Sequence, residues 1–170
     1  MVHIILEQQV SLASANATWS RLQSLLDHSV EPSRVLALAD DAMARIGFTR
    51  QKLRYVKAMA ERVVCGQFSF AELPHLDDES ARARLKSLVG VGDWSAAIYL
   101  SECLLRPDIL PKGDIAVLEM TRQMRELPTR PNHDELLNIA EPWRPYRSIA
   151  TRLLWHRYLN SKNLGHSRPG

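Results

Sequence analysis

The stretch LKSLVGVGDWSAAIYL, Leu85 to Leu100, decides the fold. It reads as the end of one helix, a turn carrying Gly90 and Gly92 two residues apart, and the start of a second helix. Glycine does two things in such a turn: it takes a positive φ at little steric cost, and it lets a second backbone come close. Successive N–H groups at the head of the following helix then form a concave, partly positive surface suited to a phosphate oxygen. A plain αα-hairpin also wants glycine, so spacing alone leaves both readings open.

On either side of this turn apolar residues recur at helical spacing, and Val, Ile and Thr never gather into alternating runs bounded by turns. The expected fold is all-α, a compact helical bundle. Val2, Leu6, Val10, Ala13 and Ala17 trace one face of a single first helix, on which Gln9 lies close to the apolar face and is expected to be half-buried. Leu53, Val56, Ala60, Val63 and Val64 do the same for a helix from about Arg50 to Cys65, with Gly47 ending the helix before it and Thr49 capping it. Asp78 is placed to cap a helix through Leu85, and Asp93 one through Leu104; Pro107 and Pro111 force a loop. A further helix starts near Asp114, and the last opens after Pro145 and runs to about Tyr158. No repeat, low-complexity tract or linker is visible, so residues 1–160 read as one domain and 161–170 as a flexible basic tail.

The 170 residues, 45% hydrophobic and 24% charged, suffice for a core that needs no staples. Two cysteines, Cys65 and Cys103, are too few for a disulfide scaffold, a four-cysteine zinc site or a cysteine-ligated iron-sulfur cluster. The six histidines are dispersed without zinc spacing. No apolar run approaches the roughly 20 residues of a membrane span, and Glu7, Gln8 and Gln9 break any signal-peptide pattern, so an intracellular protein is expected. Net charge is only +3, but from Pro142 to the end there are Arg144, Arg147, Arg152, Arg157, Lys162 and Arg168 and no acidic residue. A one-sided basic end suggests a polyanion partner. Arg144 and Arg147 suit either that partner or ion pairs with Glu141 and nearby Asp residues, and Lys52, Arg54, Lys57 and Arg62 read as a solvated face.

Asp114, in PKGDIA, has two readings: the N-cap of the next helix, or a carboxylate placed for chemistry. In the last helix, Tyr146, Ile149, Ala150, Leu153 and Leu154 make the expected core stripe, and Trp155 points away from it, toward another helix or a cavity.

Four stretches in order, ILEQQVSLASA from Ile5, GFTRQKLRYVKAMA from Gly47, LVGVGDWSA from Leu88 with ILPKGDIA downstream, and EPWRPYRSIATRLLW from Glu141, resemble the helix-hairpin-helix base-excision DNA glycosylase superfamily. The similarity spans nearly the whole chain and is greatest to the alkylbase, 3-methyladenine type. It implies Asp114 as the catalytic carboxylate; Trp94, Trp155, Ile98 and Ile115 around the extruded base; Gln8 and Gln9 in the wedge that fills the gap in the duplex; and the N–H groups of Gly90, Gly92 and Ser95 on the DNA backbone. It also implies the carbonyls of Lys86, Leu88 and Val91 as ligands of a structural Na+ or K+ ion, with no cofactor for catalysis. Bifunctional members carry a nucleophilic lysine where this chain has Trp94, so the resemblance implies a monofunctional glycosylase without lyase activity. Such an enzyme acts on duplex DNA with damaged bases, as a monomer, in the cytoplasm or nucleoid, or in a nucleus. The chain departs from the family pattern in having isoleucines at 98 and 115, where tyrosines are common, and in beginning only seven residues before Gln8. A noncatalytic DNA-binding module, or an inactive shortened glycosylase, is the alternative.

Overall fold

The computed structural model describes residues 1–165, with side chains through Ser161, and every regular element among them is helical. The described residues form two compact units, one from Met1 to Tyr99 and one beginning at Leu100. The division falls within a continuous helical stretch, which is why no linker marks it in the sequence.

In the first unit, α1 (Val2–Glu7) and α2 (Leu12–Leu25) replace the single first helix expected from the apolar period. Ser11 is the reason on the α2 side: its hydroxyl accepts the Ser14 N–H at 3.2 Å and starts a new helix. Between them Gln9 takes φ +57° and is exposed rather than half-buried, and Val10 is 42% exposed. The break also shifts the register, so that Ala15, Thr18 and Leu22 are buried in α2 while Ala13 and Ala17 face outward. α3 (Pro32–Ala37) and α4 (Asp40–Arg45) follow, then α5 (Arg50–Val64), whose bounds and Thr49 cap agree with the sequence reading.

α5 organises the unit, burying Val56, Met59 and Ala60 on one side. Of the four cations expected to form its solvated face, Arg54 is exposed, beside the Tyr55 ring at 5.5 Å, but the other three are not a solvated face. Lys52 Nζ donates to the Leu6 carbonyl at 2.6 Å, Lys57 Nζ to the Leu38 carbonyl at 2.9 Å while pairing with Asp40, and Arg62 Nη1 to the Ser87 carbonyl at 2.6 Å. Each of these carbonyls stands at a helix C-terminus, where backbone acceptors lack partners and the helix dipole favours a cation. Burial lowers the pKa of Lys52. A single helix thus ties down the ends of three others.

After a 3-10 stretch at Phe70–His75, α6 (Asp78–Lys86) is capped by Asp77, whose carboxylate accepts the Ser80 N–H at 2.8 Å. The cap thus lies one residue before Asp78, where the sequence suggests it. α7 (Asp93–Ile98) is likewise preceded by Gly92 as N-cap, and the π-helical stretch Tyr99–Cys103 continues it.

In the second unit, α8 (Ile115–Met124), α9 (His133–Ala140) and α10 (Arg147–Gly165) surround Leu110, Val117, Met120, Leu136, Ala140 and Leu154. Asn132 and Glu135 close a reciprocal capping box on α9. α10 runs beyond Tyr158, so the first five residues of the expected tail, 161–165, are helical; 166–170 lie outside the described residues.

The expected core stripe of α10 holds at Leu154, which is buried, and in part at Ala150, but fails at its other three positions. Tyr146, Ile149 and Leu153 are 59%, 50% and 66% exposed, whereas Ser148, Thr151 and Leu154 are buried. Ser148 faces inward because its Oγ accepts the Ile109 N–H at 3.0 Å and donates to the Arg106 carbonyl at 2.6 Å, anchoring the proline loop. Beside it, Arg147 grips the Asp108 carboxylate with two bonds of 2.6 and 2.9 Å, and Arg144 adds a third at 3.0 Å. Arg152 pairs with Glu102 at 2.8 Å. Three of the six cations of the basic end are therefore spent inside the unit, and Arg144 and Arg147 take the ion-pair reading.

Burial raises the pKa of Asp108, but the Arg147 hydrogen bonds and the charges of Arg147 and Arg144 outweigh it and hold the carboxyl below the usual range. Glu119 is lowered to about 2 by hydrogen bonds from Arg122, Arg130 and Gln123. Both groups bind protons more readily unfolded than folded, so their stabilisation is present above the ordinary carboxylate range and lost as pH falls through the folded values. Urea midpoints should hold steady from pH 7 to 5 and drop below about pH 4.5. Asp108→Asn should weaken that drop; an unchanged acid limb would remove Asp108 as a contributor.

Candidate active site and nucleic-acid interface

The glycine turn forms from its own sequence. Val91 N–H donates to the Leu88 carbonyl at 3.1 Å across residues 88–91, and Gly90 at the third position has φ +83°, the pattern of a type II turn. The turn also rests on α5: a Cβ at Gly90 would lie 2.2 Å from the Tyr55 ring. Glycine is needed at 90 for both reasons. At Gly92 the backbone is extended and a Cβ would meet nothing within 4 Å, so there the missing side chain leaves the head of α7 bare. Lys86 Nζ pairs with Asp93 at 2.5 Å and staples α6 to α7 across the turn.

Gln8, Gly90 and Ser95 come together. The Gln8 amide donates to the Gly90 carbonyl at 2.8 Å and to Ser95 Oγ at 2.9 Å, although 82 and 87 residues separate them in the chain. Gln9, next to it, is exposed with its left-handed backbone. Trp94 is half-buried in the first turn of α7, and Ile98, at its end, is 6% exposed. The carbonyls of Lys86, Leu88 and Val91 are of the hard oxygen type that suits an alkali cation. The Leu88 oxygen has one lone pair in the turn bond and a second remaining. Among the described residues no group of three or more His, Cys, Asp and Glu side chains is placed to hold a metal.

In the second unit Asp114 is the N-cap of α8: its Oδ1 accepts the Val117 N–H at 3.0 Å. The carboxylate is 8% exposed and fixed in orientation. Gly113, with φ +74°, turns the proline loop into it. The capping reading is therefore correct, and a cap does not by itself exclude a chemical role. Ile115, the next residue, is 58% exposed. Trp155 is partly buried and packs with Trp143 and Tyr158 against the Leu110, Val117 and Met120 cluster. Two residues of the machinery escaped the sequence reading: Tyr55, the platform under Gly90, and Asp108, the clamp on Arg147. Neither belongs to a local pattern, because each acts on a segment more than 30 residues away.

The chain is similar to known proteins. The model of the HhH-GPD superfamily of base excision DNA repair proteins matches residues 2–145. A DNA-3-methyladenine glycosylase of Bacillus subtilis is 27% identical over 162 residues, covering 89% of this chain and 54% of the relative. DNA-3-methyladenine glycosylase 1 of Schizosaccharomyces pombe is 25% identical, over 99% of this chain and 74% of the relative. The chain thus spans about half the length of the Bacillus relatives it matches. Among solved structures, the S. pombe 3-methyladenine DNA glycosylase in complex with abasic DNA superposes with a TM-score of 0.85 at 26% identity, covering 91% of this chain and 76% of that one. A DNA-3-methyladenine glycosidase from Bacillus halodurans gives 0.77 at 26% identity, over 92% and 73%. With its glycine turn, its ordered carboxylate and a family match over most of its length, the chain belongs to the HhH-GPD superfamily of base excision DNA repair proteins.

Proposed function

We propose that the protein is a monofunctional DNA glycosylase that extrudes an alkylated base from duplex DNA and hydrolyses its N-glycosidic bond, leaving an abasic site. The observation that carries this reading is the Asp114 carboxylate, buried and oriented by its own helix cap in a chain that also has the bare glycine turn. The turn, with the N–H groups of Gly90, Gly92 and Ser95, grips a phosphate. Gln9 enters the gap left by the extruded nucleotide. Trp94 offers a π face to a cationic base, an attraction of about 0.5–2 kcal/mol, and the resemblance assigns Trp155, Ile98 and Ile115 to the base as well. The Lys86, Leu88 and Val91 carbonyls fit a structural monovalent cation.

The chemistry needs little more than one negative charge. When the C1′–N bond breaks, its electron pair leaves with the base and the sugar acquires oxocarbenium character. A carboxylate beside C1′ stabilises that cation and orients the water whose oxygen adds to C1′, taking its proton as the bond forms. A base alkylated on a ring nitrogen is already positive and departs neutral, so it needs no separate acid. Trp94 supplies no amine for a Schiff base, which supports hydrolysis without strand cleavage.

Duplexes carrying 3-methyladenine, 1,N6-ethenoadenine, hypoxanthine or uracil, incubated with the protein and then treated with alkali, test this. Breaks at the alkylated base that appear only after alkali are the expected result. Nicking without alkali would overturn the monofunctional mechanism. Salt-sensitive binding that never yields an abasic site would mark a noncatalytic module instead.

A further inference from the structure

Gln8 does not share the placement of Gln9. The Gly90 carbonyl only accepts, so it fixes which end of the Gln8 amide is nitrogen, and the two N–H groups of that nitrogen are both used, on Gly90 and on Ser95. Its own backbone closes α1, with its N–H on the Ile5 carbonyl, while Lys52 holds the neighbouring Leu6 carbonyl. The residue after it leaves the helix in the left-handed region and is exposed. One side chain thus bridges the segment that carries Gln9 and the turn that carries Gly90.

We propose that Gln8 is a positioning residue that couples gap filling to the backbone grip, so that the Gln9 loop and the glycine turn engage a distorted duplex as one rigid piece. This rests on the proposed reading that both segments face DNA. The ligand is a duplex with one nucleotide out of the stack, and the partner of Gln9 is the space, or the orphaned base, that the nucleotide leaves behind. Freed from Gln8, the loop can still reach the duplex, but it must be ordered on binding, and that ordering subtracts from the affinity for the extruded state.

The test uses a duplex with a tetrahydrofuran abasic analogue opposite 2-aminopurine, whose fluorescence reports entry of a side chain beside the orphaned base without any bond being broken. The full chain, Gln8→Ala and Gln8→Met are compared; methionine keeps the length and volume of glutamine without its donors, which guards against a loss of packing. Both variants should lower the affinity for this duplex about tenfold, the scale of two modest hydrogen bonds, and shrink the fluorescence change, with melting temperatures within a few degrees of wild type. In a double-mutant cycle, Gln8→Met should cost little once Gln9→Ala has removed the group it positions. Full additivity of the two substitutions, an unchanged fluorescence response in Gln8→Met, or no response from the wild-type protein would each overturn the coupling. A wild-type response with no base release from any damaged duplex would instead sink the enzymatic reading and leave the coupling in place.

Discussion

Asp114→Asn is expected to slow base release by at least about 10³-fold, the scale seen when a charge-stabilising group is lost from a transition state, while duplex affinity stays within about twofold. The substitution suits the question because asparagine caps helices as well as aspartate does. Its Oδ1 can accept the same Val117 N–H, now met at 3.0 Å, so α8 should start where it does and the melting temperature should hardly move. What disappears is the full negative charge, and with it the stabilisation proposed for the oxocarbenium-like sugar. Asp114→Ala should lose both, adding about 1 kcal/mol of instability from the vacated cap. Single-turnover release of an alkylated base, beside thermal melts of the three proteins, separates the roles. Release by the asparagine variant at a rate near wild type would leave Asp114 a cap alone.

The second large effect is on the fold. Gly90→Ala should cost about 2–5 kcal/mol: about 1–2 kcal/mol for a side chain held at φ +83°, and about 1–3 kcal/mol for overpacking against Tyr55. The ring cannot simply swing aside, since its hydroxyl receives a 2.6 Å bond from Gln51 and Cδ2 and Cγ would be 2.2 and 2.3 Å from the new methyl. Adding Tyr55→Ala should restore only the share due to the clash, and the backbone strain should persist. Gly92→Ala is the contrast. Its methyl meets open space on extended backbone, so stability should fall by no more than about 1 kcal/mol, the loss of a fair cap. Yet that methyl stands on the bare head of α7, and DNA affinity should drop. Urea unfolding and salt-dependent binding of the two variants distinguish a glycine kept for its backbone from one kept for its surface. Equal stability losses at 90 and 92 would contradict the division.

Within the chain, local signals carried far. Thr49, Ser11 and Asp114 act on N–H groups three residues away, so their caps follow from neighbouring residues alone, although at Ser11 a longer apolar period competes with the cap. That period was misleading because it counts apolar residues without asking whether a hydroxyl nearby offers the backbone a better bond. α10 misled for a related reason. Tyr146, just before it, and its own Ile149 and Leu153 look outward, and the inward face is shared by Leu154 with Ser148 and Thr151, of which Ser148 is held by partners 39 and 42 residues back.

The charged residues of α5 mark the boundary most clearly. That Arg50–Val64 is a helix, and which side of it is apolar, is written in its own fifteen residues. That Lys52, Lys57 and Arg62 hold the ends of α1, α3 and α6 is not, because a helix period says where a cation points and nothing about which unpaired carbonyl is waiting there. The same holds for the amide of Gln8, for Tyr55 under Gly90 and for Asp108 between two arginines. The sequence by itself determined the helical class, the glycine turn and the carboxylate at the head of α8, since each rests on bonds spanning only a few residues. Only the tertiary structure decided what the polar side chains between them are for, since a hydrogen bond depends on where two distant atoms come to lie.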